Sequence, residues 1–203
     1  MNIFAKNIKK NPGTLVVVDI QPGYIKSIRG KFDIQEFLNY LLSFKDIIYL
    51  YVGDSVGIDT EYSLKQWLDE EADYDEKFMD YIDQHAEFYD KGYAFFRDMM
   101  DNGVDEEEMI ITGKYMYKHD IVDARDLTEN DWNKMSNVDN LKENIQRKNF
   151  FSVPVGEYFV NALVGAGSPI TMIGGGRYEC LKEVEILMNI INKKYKINEN
   201  FVY

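Results

Sequence analysis

An α/β fold, a mostly parallel sheet flanked by helices, is predicted by three observations on this 203-residue chain. Two short apolar runs, "TLVVVDI" (14–20) and "PITMIGG" (169–175), are nearly continuous and rich in β-branched residues. That is the pattern of strands buried on both faces of a parallel sheet. The segments that follow them carry apolar residues at helical spacing. Near the N-terminus the order strand, helix, strand comes with short connections, which calls for a right-handed crossover.

The elements follow in order. The run 14–20 closes on the turn signal "QPG", so Asp19 lies at the carboxyl end of the first strand. Asp33 caps a helix over 34–43 with Ile34, Phe37, Leu38, Leu41 and Leu42 on one face. "DIIYLYVGD" is the second strand, parallel to the first. From "TEYSLKQWLDEE" through "DEKFMDYIDQH" the spacing predicts one or two surface helices, and the aromatic-rich stretch after them predicts a strand at 86–90. Residues 105–149 read as mainly helical and polar, with Thr128 as an N-cap. They are too long for an ordinary connection and are taken as a helical insertion in a single domain. "NFFSVP" is strand-like, "VGEYFVNALVGAG" is a helix ended by glycine, and "PITMIGG" is a buried strand. In the next segment Leu181, Val184, Leu187, Met188, Ile191 and Tyr195 share a helical face, with Lys182, Glu183 and Glu185 off it. "YKINENFVY" is the final strand.

Composition narrows the function classes. A chain with 45% hydrophobic and 14% aromatic residues can bury one sizeable core. A formal charge of -12 repels a phosphate backbone, and no basic stripe interleaved with aromatics is present, so nucleic acid is not an expected partner. No apolar run approaches the ~20 residues of a membrane span, and "MNIFAKNIKKNPG" lacks the apolar core of a signal peptide. The single cysteine excludes an intrachain disulfide. A cytoplasmic, reducing compartment is the expectation.

That cysteine, Cys180, follows the glycines of "IGGGRYECL" and opens a helix. Glycines between a buried strand and a helix let the backbone turn and leave N–H groups at the helix N-terminus. Those groups favour an anion, so a first-turn Cys180 is stabilised as thiolate, and the amides of Gly175 and Gly176 become candidates for binding an oxyanion. Glu179 opposes the thiolate and calls for a positive group nearby. Two other readings stand beside this one. Cys180 is a small buried hydrophobe beside glycines chosen for close packing, or "GGGR" is a phosphate cradle, a weaker signal because its spacing fits neither nucleotide fingerprint.

Together, "LVVVDIQPGY" and "IGGGRYECL" resemble the isochorismatase-like cysteine hydrolases, the superfamily of nicotinamidases, isochorismatases and N-carbamoyl amide hydrolases. The resemblance lies in a first strand ending in Asp19, Ile20 and Gln21, and in Gly174 standing six residues before Cys180. It implies that Asp19 is the general base toward the Cys180 nucleophile, that a lysine completes the triad, and that Gln21 lies on the substrate side. It also implies a small-molecule substrate and a dimer or larger homo-oligomer. Two positions compete for the lysine. Lys91 opens "KGYAFFRD", which looks like the family's lysine signature after the third strand, whereas Lys148 lies 32 residues before Cys180, close to the separation in compact members. Lys91 is preferred, since an insertion after it accounts for the surplus length.

The chain departs from the family after the second strand. Nicotinamidases there bind a metal through Asp and His residues, and "YVGDSVGIDTEY" offers Asp54 and Asp59 without a histidine, so neither a metal nor another cofactor is expected. His85 and His119 have no ligand spacing. Arg177 either binds a substrate carboxylate bidentately or pairs with the acidic surface. The functional expectation is a cysteine-dependent hydrolase of an amide, carbamoyl or similar bond. The alternative is a catalytically silent relative in which the helical insertion is the working surface.

Overall fold

The computed structural model describes residues 10–53, 60–92, 96–136, 138–139, 141–143 and 158–203. Five strands form one all-parallel sheet: β1 (Thr14–Val18), β2 (Asp46–Tyr51), β3 (Ala86–Asp90), β4 (Ile170–Gly174) and β5 (Tyr195–Val202), in the order β3-β2-β1-β4-β5. The α/β expectation therefore holds. Residues 149–154, expected as a strand, lie outside the described residues, as do Lys148, Asp54 and Asp59.

Helices among the described residues are α1 (Ile25–Arg29), α2 (Ile34–Leu41), α3 (Glu61–Glu71), α4 (Glu76–His85), α5 (Arg97–Asp101), α6 (Glu106–Lys118), α7 (Glu129–Trp132), α8 (Tyr158–Gly165) and α9 (Cys180–Ile190). The chain divides into two compact units, one of Met1–Tyr93, Gly165–Leu181 and Lys194–Tyr203, the other of Ala94–Val164 and Lys182–Lys193. The stretch expected as an insertion falls in the second.

In the first unit the sheet residues Leu15, Val17, Ile47, Tyr49 and Ile173 pack with Phe37, Leu38 and Leu41 of α2, Leu64 and Trp67 of α3, and Phe78 and Ile82 of α4. The alternate residues Val16, Val18, Leu50 and Met172 are buried as well. Burial on both faces is why β1 and β4 read as unbroken apolar runs rather than alternating ones. The helices begin where polar side chains meet orphan amides: Asp33 accepts from Gln35 N at 2.7 Å, Thr60 from Ser63 N at 3.1 Å, and Asp75 from Lys77 N at 2.9 Å.

In the second unit Asp105 caps α6, and Thr128 forms a capping box with Asp131 at α7. The Tyr115 hydroxyl of α6 donates to Asp131 at 2.7 Å. Gly113 of α6 lies against Ile190 of α9, where an added Cβ would stand 2.4 Å from the isoleucine Cδ1.

Two expectations about α9 are corrected. Tyr195 belongs to β5, because the helix ends at Ile190. Glu183 and Glu185, placed off the buried face by their polarity, are only 1% and 8% exposed. The Glu183 carboxylate accepts the N–H groups of Phe96 and Arg97, the latter at 2.7 Å. Its burial is the consequence of capping the start of α5, which satisfies amides that have no helical partner.

Candidate active site

The strand order reverses direction at β1: the chain runs outward through β2 and β3 to one edge, then returns to build β4 and β5 on the other side. In open parallel sheets the crevice beyond the carboxyl ends of the strands at such a switch point is where ligands bind. Asp19 leaves β1 there, Lys91 leaves β3, and the glycine turn between β4 and α9 delivers Cys180.

Each exit is stitched to its neighbour. Asp19 N–H donates to Leu50 O at 2.9 Å, Lys91 N–H to Tyr51 O at 2.9 Å, and Gly175 N–H to Val18 O at 2.7 Å. Asp19 has φ +55°, so β1 ends one residue before it rather than running on to Ile20. A left-handed aspartate at a strand end is strained backbone that the surroundings must hold in place.

This turn brings the Asp19 carboxylate to 3.0 Å from the Lys91 ammonium, both side chains with no solvent exposure. The Cys180 side chain interacts with the same carboxylate and favours its charged form. Burial raises the Asp19 carboxyl above its ordinary value, while the Lys91 charge and the bonds from Cys180 and Lys91 pull it back. Its field reaches further: burial, then the Asp19 charge, push up the phenols of Tyr49 and Tyr203. Cys180 itself is half-buried, the first residue of α9, so the helix dipole and a reachable surface coincide there. Glu179 is exposed, which places its opposing charge in water, where screening weakens it.

The glycines have separate reasons. Gly174, at φ +118°, passes so close to β1 that a Cβ would stand 1.9 Å from Val18 O. Gly175 faces Tyr203, and its N–H is committed to Val18. Gly176, at φ +49°, turns the chain into α9 beside the Cys180 nitrogen. Of the two glycine amides named as oxyanion donors, Gly176's makes no hydrogen bond among the described residues, and Gly175's does.

Gln21 and Arg177 occupy definite places. Gln21 is buried, its Nε2 donating to Val52 O at 3.0 Å while its Oε1 accepts from Val52 N at 2.9 Å. This pair fastens the stretch after β1 to the stretch after β2. Arg177 forms an ion pair with Glu199 of β5, Nε to Oε1 at 3.4 Å.

Among the described residues no three His, Cys, Asp or Glu side chains converge as a metal-ligand set. His85 Nδ1 lies 3.0 Å from Lys45 O and its ring packs on Tyr81, and the His119 ring packs on Tyr115. No helix among the described residues is long and apolar enough to cross a membrane.

Sequence reasoning missed Tyr203 and Tyr49. The Tyr203 hydroxyl donates to Asp19 O at 2.6 Å, and the Tyr49 hydroxyl donates to Ile20 O. Tyr49 was legible only as an apolar strand residue and Tyr203 only as the end of the last strand. Against family models, curated proteins and solved structures, the chain shows no match.

Proposed function

We propose that the protein is a cysteine hydrolase acting on an amide, carbamoyl or similar bond of a small molecule, with Cys180 as nucleophile, Asp19 as proton shuttle and Lys91 as the charge that holds them. The observation that carries this reading is the buried Asp19–Lys91 pair, 3.0 Å apart, whose carboxylate also feels the Cys180 side chain. A buried ion pair at a strand switch point is poor value for stability alone, since desolvation offsets most of its attraction. It makes chemical sense beside a thiol.

The Cys180 Sγ proton passes to the Asp19 carboxylate, and the thiolate attacks the carbonyl carbon of the substrate. Negative charge moves to the carbonyl oxygen, for which the Gly176 amide and the start of α9 are the candidate donors. Asp19 returns its proton to the leaving nitrogen as the C–N bond breaks, leaving a thioester on Cys180. Water then gives a proton to Asp19, attacks the thioester, and releases the acid while the thiol is reprotonated. A carboxyl raised by burial suits this role, because it holds the abstracted proton more firmly than an exposed one. Lys91 opposes the negative charge that each step creates in the pocket. The mechanism is the one implied by the resemblance to isochorismatase-like hydrolases, and it requires the free thiol of a reducing, cytoplasmic setting.

A panel of small amides and carbamoyl compounds, assayed for ammonia or amine release, tests the reading. Cys180→Ala should abolish turnover while the folded baseline and melting temperature persist, and Lys91→Ala should lower it by about a hundredfold or more. Lys148→Ala should leave it unchanged. Turnover that survives Cys180→Ala would move the chemistry elsewhere. A folded protein with an inert Cys180 would favour a silent binding relative.

A further inference from the structure

Three consecutive residues at the exit of β1 are each tied down from elsewhere in the sheet: the Asp19 carbonyl by the Tyr203 hydroxyl at 2.6 Å, the Ile20 carbonyl by Tyr49, and the Gln21 amide by the Val52 backbone. Of these, only Tyr203 also meets the turn that carries the nucleophile. A Cβ at Gly175 would lie 2.1 Å from its hydroxyl oxygen and 2.4 Å from Cζ, so the missing side chain at 175 is the space in which the tyrosine sits.

We infer that Tyr203 is a positioning residue of the Cys180 site: by holding the Asp19 carbonyl, its hydroxyl fixes the left-handed turn that aims the carboxylate at Lys91 and Cys180. The inference rests on the hydrolase reading. Asp19 at φ +55° needs such a hold, because an aspartate freed from it regains ordinary negative φ and turns its side chain away. The phenol is suited to the task. Burial and the surrounding charges keep its proton in place, so it remains a donor wherever the enzyme works. The titratable groups that act on it are Asp19 at the exit of β1, Cys180 at the start of α9, Tyr49 of β2, and Tyr24, whose ring lies 6.2 Å away, while Lys91 and Asp90 act on Asp19 itself.

The test is the pH dependence of Cys180 alkylation by iodoacetamide, read by intact mass, in the parent, Tyr203→Phe, Asp19→Asn and Tyr40→Phe. Tyr40 stacks on Phe201 of β5 at 4.7 Å and serves as the control for a change in the same aromatic layer. A hydrogen bond of about 1 kcal/mol moves a midpoint by up to roughly one unit. Tyr203→Phe should therefore displace the profile in the same sense as Asp19→Asn by up to about that much, and Tyr40→Phe should overlay the parent. If Tyr203→Phe overlays the parent while Asp19→Asn does not, the inference falls and the hydrolase reading stands. If Asp19→Asn also overlays the parent, both fall. Should Tyr203→Phe fail to fold, Gly175→Ala pushes a methyl group into the tyrosine's place and should give the same displacement. An unchanged Gly175→Ala profile would overturn the inference.

Discussion

Asp19 and Lys91 are the residues on which stability and chemistry pull in opposite directions. Both side chains have no solvent exposure, so removing either leaves the other as an unpaired buried charge. Such a loss costs about 3–5 kcal/mol, whereas replacing both partners by neutral groups of similar shape is near neutral or stabilising. Asp19→Asn and Lys91→Met should each lower the urea midpoint, and the double variant should recover it while losing activity. The pH dependence has a definite sign. Because the folded state raises the Asp19 carboxyl above its ordinary value, the folded chain binds the proton more tightly than the unfolded one. Its contribution to stability is fully present below that value and is lost as pH rises through the raised one. Unfolding measured from acid to neutral pH should show this decline in the parent and not in Asp19→Asn. The positions of Asp19 and Cys180 were legible because each stands at a strand or helix boundary marked by local signals. Lys91 was preferred to Lys148 for its motif and the surplus length after it, and the pairing of β3 with β2 that sets Tyr51 opposite Asp90 is a register no local pattern reveals. The left-handed turn at Asp19 has no signal beyond aspartate's tolerance of that conformation.

At the scale of elements, α9 carries Cys180 at its first residue and the buried Glu183 one turn later. Glu183→Ala would strip the Phe96 and Arg97 amides of their acceptor and should cost about 1–3 kcal/mol by urea unfolding, with Glu183→Gln recovering part of it. A helical wheel that sorts residues by polarity places Glu183 in water. Its partners stand 86 and 87 residues away in sequence, and long-range satisfaction of a carboxylate is invisible to periodicity. The opposite case is Gly113 in the middle of α6. Helix propensity alone would favour Gly113→Ala by about 1 kcal/mol, but the new methyl meets Ile190 at 2.4 Å. Overpacking should win, with a loss of about 1–3 kcal/mol, and Ile190→Val should relieve it. Both are read from the same denaturation curves. Helix α2 was legible from its Asp33 cap and apolar stripe, whereas α3 and α4 read only as one or two surface helices, which the Thr60 and Asp75 caps divide in the fold.

For the whole molecule, the parallel sheet was readable because two of its strands are buried on both faces and say so in their composition. The order β3-β2-β1-β4-β5 was not, yet it is the order that makes a site. It sets Asp19 and Cys180 on either side of the switch point and brings Lys91 across from β3. Asp19 and Lys91, 72 residues apart in sequence, pair in the fold, and Cys180 acts on the same carboxylate. Tyr203, from the far edge strand, enters the same crevice for the same topological reason.

The central claim is that Cys180 is a nucleophile activated by the buried pair. Its most direct test is the pH profile of Cys180 alkylation in the parent beside Lys91→Met. An activated thiol should react at neutral pH with a midpoint below the value of about 8.5 for a free thiol, and loss of the Lys91 charge should raise that midpoint. A thiol that does not react, or one whose midpoint sits near 8.5 and ignores Lys91, would contradict the account and leave the fold without this chemistry.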